Sequence, residues 1–265
     1  MRAKKLLALL LAVVMVLGLM ACGTKKKEED PNATRTFTDS TGREVEVPVQ
    51  IDKVALSGPM SQIVLFALCP DKLVGVSNAW SKEAQEYLDE KYFNRPQIGQ
   101  RYGGEGELNL ETRRQGGAQV VIDVGEPKGS IKEDMDSLQQ QTGIPFIHIT
   151  ADTESYPAAY RMLGDLLNMK DEAQTLAAYC EKIYDRTVSI AGSVEKANVL
   201  YVTGDAGQNV IASGSCHSEI LALPTNNLAV VDDPSSKGTG YEVSMEQILT
   251  WKPDFGVFDP EGLYA

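Results

Sequence analysis

The sequence is poor in the residues from which metal cages and redox centres are built. Its 265 residues include two histidines and four cysteines, which are His148, His217, Cys22, Cys69, Cys180 and Cys216. Two histidines cannot form a multi-histidine zinc or manganese cage, and the cysteines follow no zinc-binding spacing. We expect the last three cysteines to be buried thiols that pack as small apolar residues, with a single disulfide as the alternative. Adjacent Cys216 and His217 are only weak evidence for a metal pair.

Basic residues and catalytic motifs are scarce as well. The chain has 25 Lys and Arg against 37 Asp and Glu, a net charge of −12 at pH 7, and no basic patch. A nucleic-acid partner is therefore not expected. The sequence contains no nucleophile elbow, HExxH motif, P-loop or GxGxxG phosphate loop. We expect no catalytic residue and no resident cofactor, and an enzyme is the less favoured alternative.

One long apolar run stands at the N-terminus. Three basic residues precede the apolar stretch Leu6–Leu17, which leads into Leu-Met-Ala-Cys ending at Cys22. This tetrapeptide looks like a lipobox, the Leu-x-small-Cys pattern of bacterial lipoproteins. A membrane-spanning helix is the alternative, but the run is shorter than the roughly 20 residues that a span needs. We predict a signal peptide over residues 1–21, a lipid on Cys22 and a solvated tether over 22–35.

Residues 36–150 alternate short apolar runs with helical patterns. Strands are expected at 53–57, 73–77, 120–124 and 144–149, and helices at 61–68 and 128–142. Strands that alternate with helices predict a parallel sheet covered on both faces. We interpret this region as an N-terminal lobe.

A helical stretch follows at residues 155–191. We expect a break at 168–170, an N-cap at Asp171, and one buried face over 173–187, where apolar residues recur at i, i+3, i+4 and i+7. The region 151–195 is therefore predicted to be a helical strut between two lobes.

Residues 196–265 resume the alternation of strands and helices. Strands are expected at 198–202, 228–231 and 255–259, and helices begin at 218 and 244. Segment 109–126 aligns with 244–261 at a constant offset of 135, which indicates two related lobes. In the first copy a further helix and strand follow at 128–149, and the second copy lacks this unit. We predict an α/β fold with two Rossmann-like lobes, each with a parallel sheet, joined by a long helix, the second lobe being truncated.

Several motifs together resemble the extracytoplasmic solute-binding lipoproteins of iron-siderophore, haem and cobalamin ABC importers. Besides the lipobox, they are FTDSTGREVEVP (37–48), LVGVSNAW (73–80), IGQRYGGEGELNLE (98–111), TGIPFIHI (142–149) and EVSMEQILTWKPD (242–254). The resemblance implies two α/β lobes joined by a rigid helix. It also implies capture of an iron chelate, haem or corrinoid on the outer face of the cell membrane, for delivery to a permease and its ATPase. A ligand-sensing or adhesive surface lipoprotein with this fold is the alternative.

The candidate ligand residues follow predicted strands. In open α/β sheets, ligands bind beyond the carboxyl ends of the strands, where helix N-termini present free N–H groups. The residues expected there are Ser57, Met60, Trp80, Arg101, Tyr102, Glu126, Lys237 and Tyr241. The aromatic residues suit a large flat chelate, and simple capping of the core is the alternative for Trp80 and Tyr102. Arg101 could pair with an anionic ligand or be an isolated surface residue, and the glycine-rich loop of Lys237 could close over the ligand or be merely flexible.

Two glutamates occupy matching positions in the repeat. Glu111 and Glu246 each stand near a predicted helix N-terminus, where a carboxylate stabilises the helix by about 0.3–1 kcal/mol. The family resemblance implies instead that they dock onto arginines of the permease. Both interpretations remain open at the level of the sequence.

Overall fold

The computed structural model describes residues 33–99, 116–127, 129–204, 206–232 and 240–259. The strands are β1 Thr34–Thr38, β2 Glu44–Pro48, β3 Val54–Leu56, β4 Val120–Gly125, β5 Phe146–Thr150, β6 Ala197–Thr203, β7 Asn209–Val210, β8 Thr225–Asn227, β9 Tyr241–Glu242 and β10 Phe255–Asp259. The α-helices are α1 Pro59–Leu68, α2 Glu90–Phe93, α3 Ile131–Thr142, α4 Tyr156–Leu167, α5 Lys170–Ala191, α6 Glu219–Ala222 and α7 Met245–Trp251. Within these ranges no helix is both long and apolar enough to cross a membrane.

The first sheet is parallel, as the sequence predicts, and its strand order is β3-β4-β5. Its strands are rich in β-branched and apolar residues and are almost wholly buried, which is the pattern of a sheet covered on both faces. Helix α3 ends at Gly143, whose φ of 69° provides the left-handed turn into β5. An antiparallel hairpin, β1–β2, precedes the sheet and was not predicted.

The strand expected at 73–77 does not form. The segment pairs through single bridges, Leu73 with Val54 and Val76 with Gln97. Gly75 explains the close approach at this point, because an added Cβ would lie 2.5 Å from both Ile98 Cγ2 and Pro96 O. A continuous ladder is replaced by a tight crossing of two extended segments.

The predicted helical stretch forms two helices, α4 and α5, with the break at Asn168. This residue adopts φ 55°, the left-handed conformation that ends α4. The N-cap of α5 is Met169 rather than Asp171, which lies in the first turn and compensates the helix dipole. The predicted buried face is too long, because Ala173 and Ala177 are buried whereas Ile183 is 43% exposed.

The second sheet has the order β10-β6-β7-β9, with β8 also on β6. It is mixed rather than parallel, because β7 runs antiparallel to β6 and to β9. The strand predicted at 228–231 lies earlier, at β8, parallel to β6. Strand β10 pairs parallel with β6 as expected, yet it is exposed along its length rather than buried.

The two copies of the repeat have the same local structure. Gly117 and Lys252, which are 135 positions apart, both adopt positive φ, at 67° and 49°. Two residues later, Gln119 Oε1 accepts a hydrogen bond of 3.0 Å from the N–H of the residue before β3, and its own N–H donates to the carbonyl of that residue. Asp254 makes the same two-way contact with Asn198 in β6, at 2.9 and 2.8 Å. We call this two-way contact, in which a side chain accepts from a residue and the backbone N–H donates to the same residue, a clamp. The repeat inferred from the sequence is therefore also a structural repeat, which consists of a left-handed turn, a clamp and a parallel strand.

Candidate ligand cleft between the lobes

The carboxyl ends of β3, β4 and β5 meet at one edge, and a segment of the second lobe faces it. The Thr153 N–H and hydroxyl, just beyond β5, both donate to Glu219 Oε2 in the second lobe, at 2.8 and 2.5 Å. Beyond β4, the Glu126 carboxylate lies close enough to Cys216 to raise the pKa of its thiol. We call this zone the interlobe edge: residues 57–60, 77–80, 125–127 and 151–156, with 215–219 opposite. It is the position where α/β proteins bind ligands.

Met60 presents a soft sulfur atom at the interlobe edge. It lies in the first turn of α1, and its side chain is 42% exposed. The Tyr156 hydroxyl donates to Met60 Sδ at 3.1 Å. Burial raises the pKa of Tyr156, and the nearby carboxylate of Glu219 raises it further, so this hydroxyl remains a donor.

Glu126 and Cys216 are neighbours across the interlobe edge. Both residues are exposed, so the prediction that all three later cysteines are buried is wrong for Cys216. Partial burial and then the Glu126 and Glu219 carboxylates raise the pKa of the Cys216 thiol. Cys69 is buried as expected, and burial raises the pKa of its thiol to about 12. These thiols and the half-buried Cys180 are all free, so the alternative of a disulfide is not realised in the described part of the chain.

Ser57 lies beneath the interlobe edge, in a buried polar network. Its hydroxyl donates to Asp123 Oδ1, and the Ser61 hydroxyl lies 3.0 Å away. Asp123 Oδ2 pairs with His148 Nδ1 at 2.7 Å, and the Ser61 hydroxyl accepts from the N–H of Val124 at 2.8 Å. Ser57 is only 2% exposed, so the structure gives it a supporting position below the N-terminus of α1.

This network contains serine, aspartate and histidine, but in an order that differs from a nucleophilic triad. In a triad the histidine stands between the serine and the acid and takes the serine proton. Here Asp123 stands in the middle, so His148 reaches Ser57 only through the carboxylate. With His148 wholly buried, the arrangement ties β4, β5 and α1 together and presents no nucleophile to the edge.

Trp80 lies at the end of a loop that runs to the same edge. Its ring packs against Phe66 of α1, with a centroid separation of 4.9 Å, and Phe66 in turn packs against Tyr92. Within the described residues, Trp80 Nε1 is buried and has no hydrogen-bond acceptor. A buried donor without an acceptor costs about 1–3 kcal/mol, so we expect this N–H to bind a buried water molecule.

The remaining predicted site residues divide between those the structure describes and those it does not. Tyr241 is half-buried in β9 and packs against the small core of the second lobe. Glu246 is exposed in the first turn of α7, whose N-cap is Ser244. The residues that lie outside the described ranges are Cys22, Arg101, Tyr102, Glu111 and Lys237, together with the signal peptide and most of the tether.

Four residues in or beneath the interlobe edge were not predicted from the sequence. Asp123 and His148 are single polar residues inside otherwise apolar strands, a signal that could have identified a buried pair. Thr153 and Glu219 lie in segments without strong periodicity, and only the fold brings them together.

The sequence matches no protein-family model and no curated protein. Its fold is nevertheless shared with solved structures. An ABC transporter solute-binding protein from Sulfurospirillum deleyianum DSM 6946 aligns with 87% of this chain and 73% of its own, at 24% identity and a TM-score of 0.77.

Two further neighbours bind chemically different ligands. The molybdate periplasmic binding protein MolA of a Haemophilus influenzae ABC transporter has 15% identity and a TM-score of 0.65, covering 84% of this chain and 73% of that chain. The periplasmic vitamin B12 binding protein BtuF of Vibrio cholerae also has 15% identity, with a TM-score of 0.59 and coverage of 80% and 78%. The chain therefore has the two-lobed α/β fold of the solute-binding proteins of ABC transporters.

Proposed function

We propose that this protein is a lipid-anchored substrate-binding subunit of an ABC importer, held at the outer face of the cell membrane through Cys22. The observation that carries the proposal is the interlobe edge, where the carboxyl ends of the first sheet face a segment of the second lobe. The strut formed by α4 and α5 joins these lobes, and the fold is that of solute-binding proteins. A ligand held there touches both lobes and needs no chemical step.

The proposed cargo is a metal chelate, either an iron siderophore or haem, or a corrinoid. Met60, Tyr156 and Trp80 give the described part of the edge a soft and aromatic character, which suits a large flat ligand. Glu126 and Tyr241 are proposed as further contacts, and Arg101, Tyr102 and Lys237 complete the predicted set. Because solute-binding proteins of this fold take ligands as different as molybdate and vitamin B12, a direct binding test must span that range.

The binding test uses the full chain in detergent with haemin, a ferric hydroxamate siderophore, cyanocobalamin and molybdate. The true ligand should quench tryptophan fluorescence. At a concentration of 100 times Kd it should stabilise the protein by about 2.7 kcal/mol, which is a rise in Tm of roughly 5–10 °C. If none of the four compounds quenches fluorescence or shifts Tm, the proposed cargo class is wrong.

The lipid anchor is tested separately. Radiolabelled palmitate should label the wild type but not Cys22→Ala.

The proposed permease partner is tested by charge reversal. Replacing Glu111 and Glu246 together with Arg should abolish uptake in cells while leaving Kd for the cargo unchanged. Glu133→Arg is the matched control, because Glu133 is likewise an acidic residue in the first turn of a helix. Normal uptake by the double variant, or equal loss in the control, would remove the docking role.

A further inference from the structure

One buried glutamine organises the loop that carries Trp80. Gln62, in the first turn of α1, is 6% exposed. Its Oε1 accepts hydrogen bonds from the N–H and the hydroxyl of Ser77, at 2.7 and 2.8 Å, and from the N–H of Asn78 at 3.1 Å. Its Nε2 donates to the carbonyl of Asn78 at 3.3 Å. The three donors to Gln62 Oε1 thus all belong to two consecutive residues of this loop.

This contact substitutes for the missing strand. The segment before the loop is extended but pairs only through single bridges, so the backbone groups of Ser77 and Asn78 have no ladder partner. Buried backbone groups must be paired, and the Gln62 side chain supplies the partners here. The remaining carbonyl, that of Ser77, accepts from Gln97 Nε2 at 3.1 Å.

The same helix also holds the far end of the loop. Phe66 is four residues after Gln62 and therefore lies on the same face of α1, where its ring contacts Trp80. The loop is fixed to α1 at two points, by an amide at its start and by an aromatic contact at its end. Because Leu73 runs parallel beside β3, the loop emerges at the carboxyl edge of the sheet, where α1 also begins.

We propose that Gln62 is the positioning residue that fixes the Ser77–Trp80 loop at the interlobe edge and thereby sets the position of the Trp80 ring. Only the effect on cargo affinity rests on the proposed function. In that effect Gln62 acts through the position of Trp80 and does not contact the cargo itself. A merely structural glutamine would affect stability alone, whereas a positioning residue changes the environment of Trp80.

The chain offers a close matched control in Gln119. This residue makes the same kind of clamp at the opposite end of the sheet. Its Oε1 accepts from the N–H groups of Asp52 and Lys53 at 2.7 and 3.0 Å, and its Nε2 donates to Gln50 O at 3.1 Å. Gln119→Met therefore removes an equivalent set of hydrogen bonds far from Trp80.

The experiment uses the full chain with Trp251→Phe, which leaves Trp80 as the single tryptophan of the two. Gln62→Met should shift Trp80 emission to the red and increase its quenching by acrylamide. Amide exchange in the peptide with Ser77 and Asn78 should accelerate at least about fivefold, the factor that one ordinary hydrogen bond supplies. Gln62→Glu retains an acceptor oxygen for the three donors but loses the N–H that donates to the carbonyl of Asn78, so it should restore the wild-type signal in part. Gln119→Met should leave both readouts unchanged.

Unchanged emission and exchange in Gln62→Met would overturn the proposal, and so would equal changes in Gln119→Met. If Gln62→Met does not fold, Gln62→Asn, which retracts the amide by one methylene, carries the same expectations. These readouts need no cargo, so their outcome is independent of whether the importer function is correct. With haemin or cyanocobalamin, whichever quenches Trp80, Gln62→Met should weaken binding about fivefold to tenfold, because the loop must then be ordered on binding. A quenching ligand whose affinity is unchanged in that variant would also overturn it.

Discussion

Replacing Asp123 tests how much the buried network beneath the interlobe edge contributes to stability. Asp123 is 6% exposed and accepts from two buried donors, the hydroxyl of Ser57 and Nδ1 of His148. Asp123→Leu removes the acceptor while keeping a similar volume. Asp123→Asn keeps the shape and one acceptor oxygen but adds an amino group. Comparing the two separates loss of the acceptor from rearrangement of the network.

The magnitudes follow from the groups that lose their partners. In Asp123→Leu the His148 N–H loses its acceptor and the Ser57 hydroxyl keeps only the Ser61 oxygen 3.0 Å away, so at about 1–3 kcal/mol for each buried donor that loses its acceptor we expect a loss of about 2–4 kcal/mol. That is a large part of the 5–15 kcal/mol that typically holds a domain together. In Asp123→Asn the amide can still accept from Ser57 and donate to Nδ1 of His148. The imidazole proton must then move to Nε2, which is buried with no partner among the described residues, so we expect a loss of about 1–3 kcal/mol.

The assay is urea unfolding followed by Trp80 fluorescence in the Trp251→Phe background. Asp165→Asn is the control, because Asp165 is 49% exposed and its ion pairs with Arg35 and Lys170 should contribute only about 0–1 kcal/mol. The expected order of loss is Asp123→Leu, then Asp123→Asn, then Asp165→Asn. A loss in Asp123→Leu no larger than that in Asp165→Asn would show that the buried network does not stabilise the first lobe.

Two further predictions concern the contact between the lobes and the response to acid. A double-mutant cycle of Thr153→Val and Glu219→Ala should give a coupling of about 1 kcal/mol in urea unfolding, because the carboxylate accepts from a half-exposed hydroxyl; a coupling of zero would contradict the contact. Burial raises the pKa of Asp39, but hydrogen bonds from the Thr41 hydroxyl and from the N–H groups of Arg43, His148 and Thr41 outweigh it, so the pKa is lowered overall. A lowered pKa stabilises the fold above the ordinary value of 3.8, and this stability is lost as pH falls through the lower folded value. Urea midpoints should therefore fall between about pH 4 and 2 in the wild type, whereas Asp39→Asn should be weaker at pH 7 and flatter over that range.

The sequence predicts most of the first lobe because its signals are local and strong. The runs at β3, β4 and β5 are apolar and β-branched, and Gly143 and Asn168 mark the ends of helices. The hairpin β1–β2 was missed although EVEVP alternates strictly, a pattern typical of a strand with one solvated face. These elements depend on neighbours in the sequence, and so a pattern can reveal them.

The errors arise where the outcome depends on distant partners. The sequence of segment 73–77 is typical of a strand. In the structure Gly75 allows a close crossing with Pro96–Ile98, and the segment forms only single bridges instead of a continuous ladder. The shift of β8 to Thr225–Asn227 depends on the register that β6 offers. The contact of Thr153 with Glu219 joins residues that are far apart in the chain, and no periodic pattern in the sequence predicts it.

The two copies of the repeat show how far a local pattern reaches. Their left-handed turns, two-way clamps and parallel strands agree, which indicates that the local sequence is sufficient for all three. Their burial differs, because β4 lies inside a core covered by α1 and α3, whereas β10 is exposed throughout the described structure. The polar groups that shape the interlobe edge follow this difference: Gln62, Asp123 and His148 are all buried in the first lobe. The first lobe therefore provides the fixed wall of the edge. The opposing segment is held by the hydrogen bonds of Thr153 with Glu219, which are only partly buried, so we expect any adjustment to the size of a ligand on the side of the second lobe.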